Sequence, residues 1–210
     1  MVLIINNEIK NNKPILKLTS PIPVSVNHYM KPRGILKWKN GKPFAMAMMY
    51  ETSEAKKYKK DFMKYINQEV KNQNWNRPID SNTFFIIDSY FYFDRIDVDA
   101  NNYYKIMLDA ITDTQLIWKD DNKTMERVQR IYYDKENPRI ELVIYPSDYI
   151  GIFDNIEDLN KFKNTYCNNC KRGNKIGQKG GCSVFKSAIE SRITNDIDLN
   201  TKKCNKFKNK

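Results

Sequence analysis

Between Phe93 and Thr124 the chain reads FDRIDVDANNYYKIMLDAITDTQLIWKDDNKT, a stretch unusually rich in carboxylates close to one lysine. Asp94, Asp97 and Asp99 crowd a connection that leads into a helical pattern. Within that pattern Tyr103, Ile106, Met107, Ala110 and Ile111 recur at helical spacing and form one apolar face. Asn101, Lys105 and Asp109 stack one turn apart on the other side. Asp120-Asp121 follows an aromatic-aliphatic run ending in Trp118. Hydrolysis of a phosphodiester needs such parts. Hard divalent cations take carboxylate oxygens, neutralise charge on the phosphoryl group and yield a nucleophile near neutral pH. A lysine one turn inside the helix can stabilise the charge that develops.

Each element of the cluster also has a plain structural reading. Asp99 or Asn101 can cap the helix, Lys105 and Asp109 can form a surface i,i+4 pair, and Asp120-Asp121-Asn122 can be a turn. The conjunction favours chemistry, because five carboxylates around one lysine repel one another without a cation. His28 is the only histidine, which disfavours mechanisms that require a histidine pair or a histidine-dependent triad.

The elements that must position these groups can be read along the chain. PILKLTS, residues 14–20, reads as a strand, and PIPVSVNHYMKPRG as an extended irregular loop. Asn40-Gly41 between ILKWK and PFAMAMMY is a strong hairpin signal. Thr52 or Ser53 can cap a helix in which Ala55, Tyr58, Phe62, Ile66 and Val70 form the apolar face, with Lys56, Lys57, Lys59, Lys60 and Lys64 opposite. Thr83–Phe93 reads as a strand buried on both faces, a second helix runs over about 101–112, and Val128–Tyr133 and Arg139–Tyr145 read as further strands. This order gives an α+β domain over residues 12–148, then a linker at 149–164 with room for a short helix in IEDLNKF.

Charge divides the chain in the same way. The net charge is +11, yet residues 161–210 hold 13 Lys and Arg against 3 Asp and Glu, leaving the first 160 residues at +1. A basic appendage on a nearly neutral body fits a polyanion partner; a solubilising tail is the alternative. No apolar run reaches the ~18–20 residues that span a bilayer, and the N-terminus shows neither a basic leader nor a cleavage site, so the expected location is cytoplasmic.

All four cysteines, Cys167, Cys170, Cys182 and Cys204, lie in the segment 165–210. The first pair has zinc-knuckle spacing, with Gly173, Gly177, Gly180 and Gly181 supplying turns. A small metal-binding module with structural Zn²⁺ is the expectation, with an iron–sulfur cluster as the alternative; without metal so short a tail should be unfolded.

Two stretches resemble the RusA family of Holliday-junction resolvases. One is Asp99-Ala100-Asn101-Asn102-Tyr103-Tyr104-Lys105, then Asp109-Ala110 and Trp118-Lys119-Asp120-Asp121; the other is Pro23-Val24-Ser25-Val26-Asn27-His28-Tyr29. The resemblance covers about residues 15–146. It implies a small mixed sheet with two main helices, a homodimer, and Mg²⁺- or Mn²⁺-dependent symmetric nicking of four-way DNA junctions. Carried over, it implies Asp99 and Asp121 as metal carboxylates and Lys105 as the catalytic lysine. Asn101 stands where the family usually has a second aspartate, and Asp97 can compensate. Asn27, Tyr29, Lys31 and Arg33 are candidates to grip phosphates beside the site. Two rival expectations are a catalytically weakened branched-DNA-binding protein and an adaptor acting through the cysteine module.

Overall fold

The computed structural model describes residues 13–76, 82–173 and 181–210. The extreme N-terminus, the first residue of the expected domain, Gly177 and Gly180 lie outside the described residues. The chain divides into two compact units, residues 1–80 with 85–145, and residues 81–84 with 146–210.

The first unit is built on a four-stranded mixed sheet of order β1-β6-β4-β5. Its strands are β1 (Leu16–Pro21), β4 (Phe85–Phe93), β5 (Thr124–Tyr133) and β6 (Arg139–Pro146). β1 runs antiparallel to β6 from Leu16 opposite Ile144 to Pro21 opposite Arg139. β4 and β5 are parallel, with a register shift between Ser89 and Tyr90. A parallel pair needs a crossover, and α3 (Asn101–Thr114) supplies it. Leu16 and Leu18 of β1 and Phe85, Ile87, Phe91 and Phe93 of β4 are buried in one cluster with Phe62 and Ile66 of α2 (Ser53–Asn72) and with Met107 and Ile111 of α3. β4 is buried on alternate and consecutive positions alike, as a central strand should be.

β2 (Met30–Lys39) and β3 (Lys42–Glu51) form a separate two-stranded ribbon. Asn40 and Gly41 take φ values of 52° and 74°, the left-handed pair that matches hairpin twist. The proline-rich segment departs from the expected irregular loop. It forms a single helical turn, α1 (Val26–Tyr29), and the chain is already in β2 at Met30. Ser25 is extended at φ −65°, ψ 158°, and its carbonyl accepts from the His28 amide at 2.9 Å. Pro32 and Gly34 sit inside β2, where a ribbon of only two strands tolerates a missing ladder donor.

The second unit contains α4 (Ile156–Phe162), a π-turn over Lys163–Cys167 and α5 (Ser183–Ile189). The expectation of a coreless tail is corrected here. Phe153, Leu159, Phe162, Val184, Ala188 and Ile197 are all buried together. Much of that core comes from residues 149–164, the stretch that reads as a linker in sequence. Asn155 caps α4 through its side-chain oxygen, which accepts from the Asp158 amide at 2.8 Å. Among the described residues no helix is long and apolar enough to cross a membrane.

Candidate active site

α3 buries Tyr104, Ile106, Met107, Leu108, Ala110 and Ile111, and this packing fixes which side chains face outward. Lys105 and Asp109 share the outer face. Lys105 Nζ donates to Asp109 Oδ1 at 2.7 Å and to Asp121 Oδ2 at 3.2 Å. The hydrogen bond from Lys105 to Asp109 is the largest influence on the ammonium and raises its pKa against partial burial; the Asp121 contact adds to it.

The route of the chain from α3 to Asp121 is set by burial. Gln115 ends the helix in the left-handed conformation at φ 53°. Ile117 and Trp118 then plunge into the core, each 1% exposed, and Trp118 Nε1 donates to Thr112 Oγ1 at 2.7 Å. The two consecutive aspartates divide their roles. Asp120 caps a 3-10 turn over Asp121–Lys123 by accepting from the Asn122 amide at 3.0 Å. Asp121 is thereby left to face Lys105.

On the other side, Asp109 Oδ2 accepts from the Tyr29 hydroxyl at 2.8 Å, and Glu51 Oε1 lies 2.8 Å from the same hydroxyl. The single phenolic proton is shared between the two carboxylates. Burial, followed by these two acceptors, pushes the Tyr29 pKa far up, so the phenol stays protonated. Its ring packs with Ala55 of α2 and Ile106 of α3. Lys59 extends the network, at 3.2 Å from Glu51 and 2.6 Å from Asp113. Burial opposes ionisation of Glu51, but the Tyr29 and Lys59 hydrogen bonds outweigh it and lower its pKa.

The connected set therefore runs Asp121, Lys105, Asp109, Tyr29, Glu51, Lys59, Asp113. Four carboxylates meet two ammonium groups, an excess of two negative charges. Residues at the start of α3 stand apart from it. Asp99 Oδ1 accepts from the Asn101 amide at 3.0 Å, Asn101 is the exposed first residue of the helix, and Asp97 pairs with Arg95 at 3.2 Å. Asp94, Asp97 and Asp99 with Arg95 are felt by Tyr103, whose pKa is raised mainly by burial. Among the described residues no hydrogen bond or ion pair joins Asp97, Asp99 or Asn101 to Lys105 or Asp121.

Of the phosphate-gripping candidates, Tyr29 is buried and engaged with carboxylates, whereas Asn27, Lys31 and Arg33 are exposed. Arg33 lies over the Tyr50 ring, 5.8 Å from its centroid. His28 Nδ1 is 3.1 Å from Ser25 Oγ in the turn of α1. Sequence reading gave Asp109 only a surface pairing with Lys105 and a place in the family motif, missed Glu51 and Asp113 altogether, and placed Lys59 among the lysines opposite the apolar face of α2. A signal was available only for Asp109, through its i,i+4 spacing from Lys105. Among the described residues no group of three or more His, Cys, Asp or Glu side chains is arranged to hold a metal ion as it stands.

A mixed α+β domain that gathers carboxylates around a lysine on one outward helix face is compatible with phosphodiester chemistry. The chain belongs to the RusA family: the family model described as Endodeoxyribonuclease RusA matches residues 21–145, well over half of the chain. No curated protein matches it. Family membership supports endodeoxyribonuclease activity and a link to Holliday junctions at the level of the family.

Proposed function

We propose that the protein is a divalent-metal-dependent endonuclease that resolves four-way DNA junctions by paired nicks in recombination and repair, acting as a homodimer. The observation that carries this reading is Lys105 held between Asp109 and Asp121, at 2.7 and 3.2 Å, inside a domain of the RusA family. The donor set fits Mg²⁺ or Mn²⁺. Its ligands are hard carboxylate oxygens, and an ammonium group already sits where positive charge is needed.

In this reading Asp121 holds the cation, with Asp109, Asp99, Asp97 and the amide oxygen of Asn101 as further donors. When bound, the cation would supply charge neutralisation at the scissile phosphate and an acidified water. Lys105 is the catalytic lysine, free to turn from its carboxylates toward the phosphoryl oxygens. Tyr29 and Glu51 hold Asp109 in place from behind. Asn27, Lys31 and Arg33, on α1 and β2, are positioned to take neighbouring phosphates.

What supports dimerisation, beside the family, is the apolar surface of the β2–β3 ribbon, where Leu36, Trp38 and Met49 are 74%, 71% and 55% exposed. Side chains of this kind fit a second copy better than water.

Asn101 favours a second reading, a branched-DNA binder of weakened activity, because an amide contributes no charge to a cation site. The test is cleavage of a synthetic mobile four-way junction with and without Mg²⁺, by the wild type, Asp121→Asn and Asn101→Asp. Metal-dependent paired nicks that vanish in Asp121→Asn support the nuclease. Junction binding without cutting at any Mg²⁺ or Mn²⁺ concentration, with cleavage appearing in Asn101→Asp, supports the second reading.

A further inference from the structure

The four cysteines of the second unit converge on one place. Cys167, Cys170, Cys182 and Cys204 all line one cavity, and all four are free thiols.

Two of the thiols sit in the same backbone device. The Cys170 carbonyl accepts from the Gly173 amide at 2.8 Å, and the Cys204 carbonyl from the Phe207 amide at 3.3 Å, so each cysteine opens a tight turn. Gly173 is required for this geometry, because a Cβ there would fall 1.6 Å from the Cys167 carbonyl oxygen.

Basic side chains stand beside the four sulfurs. Arg172 and Lys206 line the same cavity, and Lys163 acts on Cys167.

We propose that Cys167, Cys170, Cys182 and Cys204 bind one zinc ion as a tetrathiolate site that clamps the second unit. Four thiolates on one divalent centre call for a tetrahedral soft-ligand metal, and zinc is the ion that structural sites of this kind hold. As each ligand binds, its S–H bond breaks, an S–Zn bond forms and the proton passes to buffer. The net charge of the filled site is −2, which Lys163, Arg172 and Lys206 offset. The thiols are not yet in metal-holding geometry. They would close on the ion across the cavity, and the Phe153–Ile197 core makes the unit a preformed support for that closure.

This proposal is independent of the nuclease reading and is tested on the full chain, purified reduced. Elemental analysis should give about one zinc per chain. Replacement by Co²⁺ should produce the d–d and sulfur-to-metal charge-transfer bands of a tetrahedral thiolate site, and titration with Zn²⁺ should release protons. Cys170→Ser and Cys204→Ser should weaken binding by at least the ~10–100-fold that loss of an outer-shell partner costs. The wild-type Co²⁺ spectrum decides independently of how those variants fold. Zinc-free protein whose four thiols all react freely and which gives no Co²⁺–thiolate bands would overturn the proposal, as would iron in place of zinc.

Discussion

Lys105 offers the sharpest separation of a functional group from a structural one. Its side chain is 55% exposed, and among the described residues its ion pairs are those with Asp109 and Asp121. Exposed pairs are worth ~0.2–1 kcal/mol each, so Lys105→Met should cost about 1 kcal/mol, a shift of roughly 2–4 °C in Tm for a chain of this size. Loss of a cation aimed at developing phosphoryl charge has a different scale. Removing one preorganised donor typically lowers the rate ~10²–10³-fold. Lys105→Arg should lie between, since a planar guanidinium keeps the charge but cannot occupy the same point between two carboxylates. The assay is single-turnover cleavage of a four-way junction at saturating Mg²⁺, run beside thermal unfolding of the same preparations. Cleavage by Lys105→Met within about tenfold of the wild type would refute a catalytic lysine. A fall in Tm beyond about 8 °C would show that the residue holds the fold instead.

The adjacent aspartates should separate in the opposite sense. Asp120→Ala removes a cap and should cost ~0.5–2 kcal/mol by denaturant unfolding while leaving cleavage intact, whereas Asp121→Asn should abolish cleavage with little change in stability. Trp118→Ala empties a fully buried site and breaks the bond to Thr112, so urea unfolding should show a loss of ~3–5 kcal/mol. Glu51 has a lowered pKa, so its contribution to stability is present above the ordinary glutamate value of 4.5 and is lost as pH falls through the lower folded value. Thermal melts of the wild type and Glu51→Gln should therefore differ near neutrality and converge in acid; a gap that persists at low pH would contradict this.

What the sequence made legible was what local pattern controls. Asn40-Gly41 named the hairpin because few other pairs accept two positive φ angles, and Thr52 caps α2 by accepting from the Ala55 amide at 3.3 Å. The outward row of α3 follows from its period. Contacts between distant segments were not legible. Tyr29 and Asp109 are 80 residues apart, and nothing near Glu51 announces that its carboxylate meets the same phenol. Asp120 and Asp121 look alike in sequence, and only the 3-10 turn tells the cap from the site residue. The turn of α1 escaped notice because Pro21 and Pro23 dominate the local signal, although Ser25 beyond them has the extended backbone that opens a helix.

The two stretches that carried the family resemblance lie far apart in the chain, and one contact explains why both are needed. Tyr29 closes the first stretch, and its hydroxyl meets Asp109 of the second at 2.8 Å. The position asks for an apolar ring long enough to fill the space beside Ala55 and Ile106, with a proton donor at its tip. Phenylalanine would fill that space and leave Asp109 and Glu51 facing each other unbridged. Histidine would set its donor short of them. Because Tyr29 is anchored in this way, α1 is held against α3, and the chain passes directly from α1 into β2 with Asn27, Lys31 and Arg33 exposed. The loop thus supplies a positioning bond behind Asp109; in the proposed nuclease it would also present polar and basic groups to phosphates, and the first is the physical condition for the second.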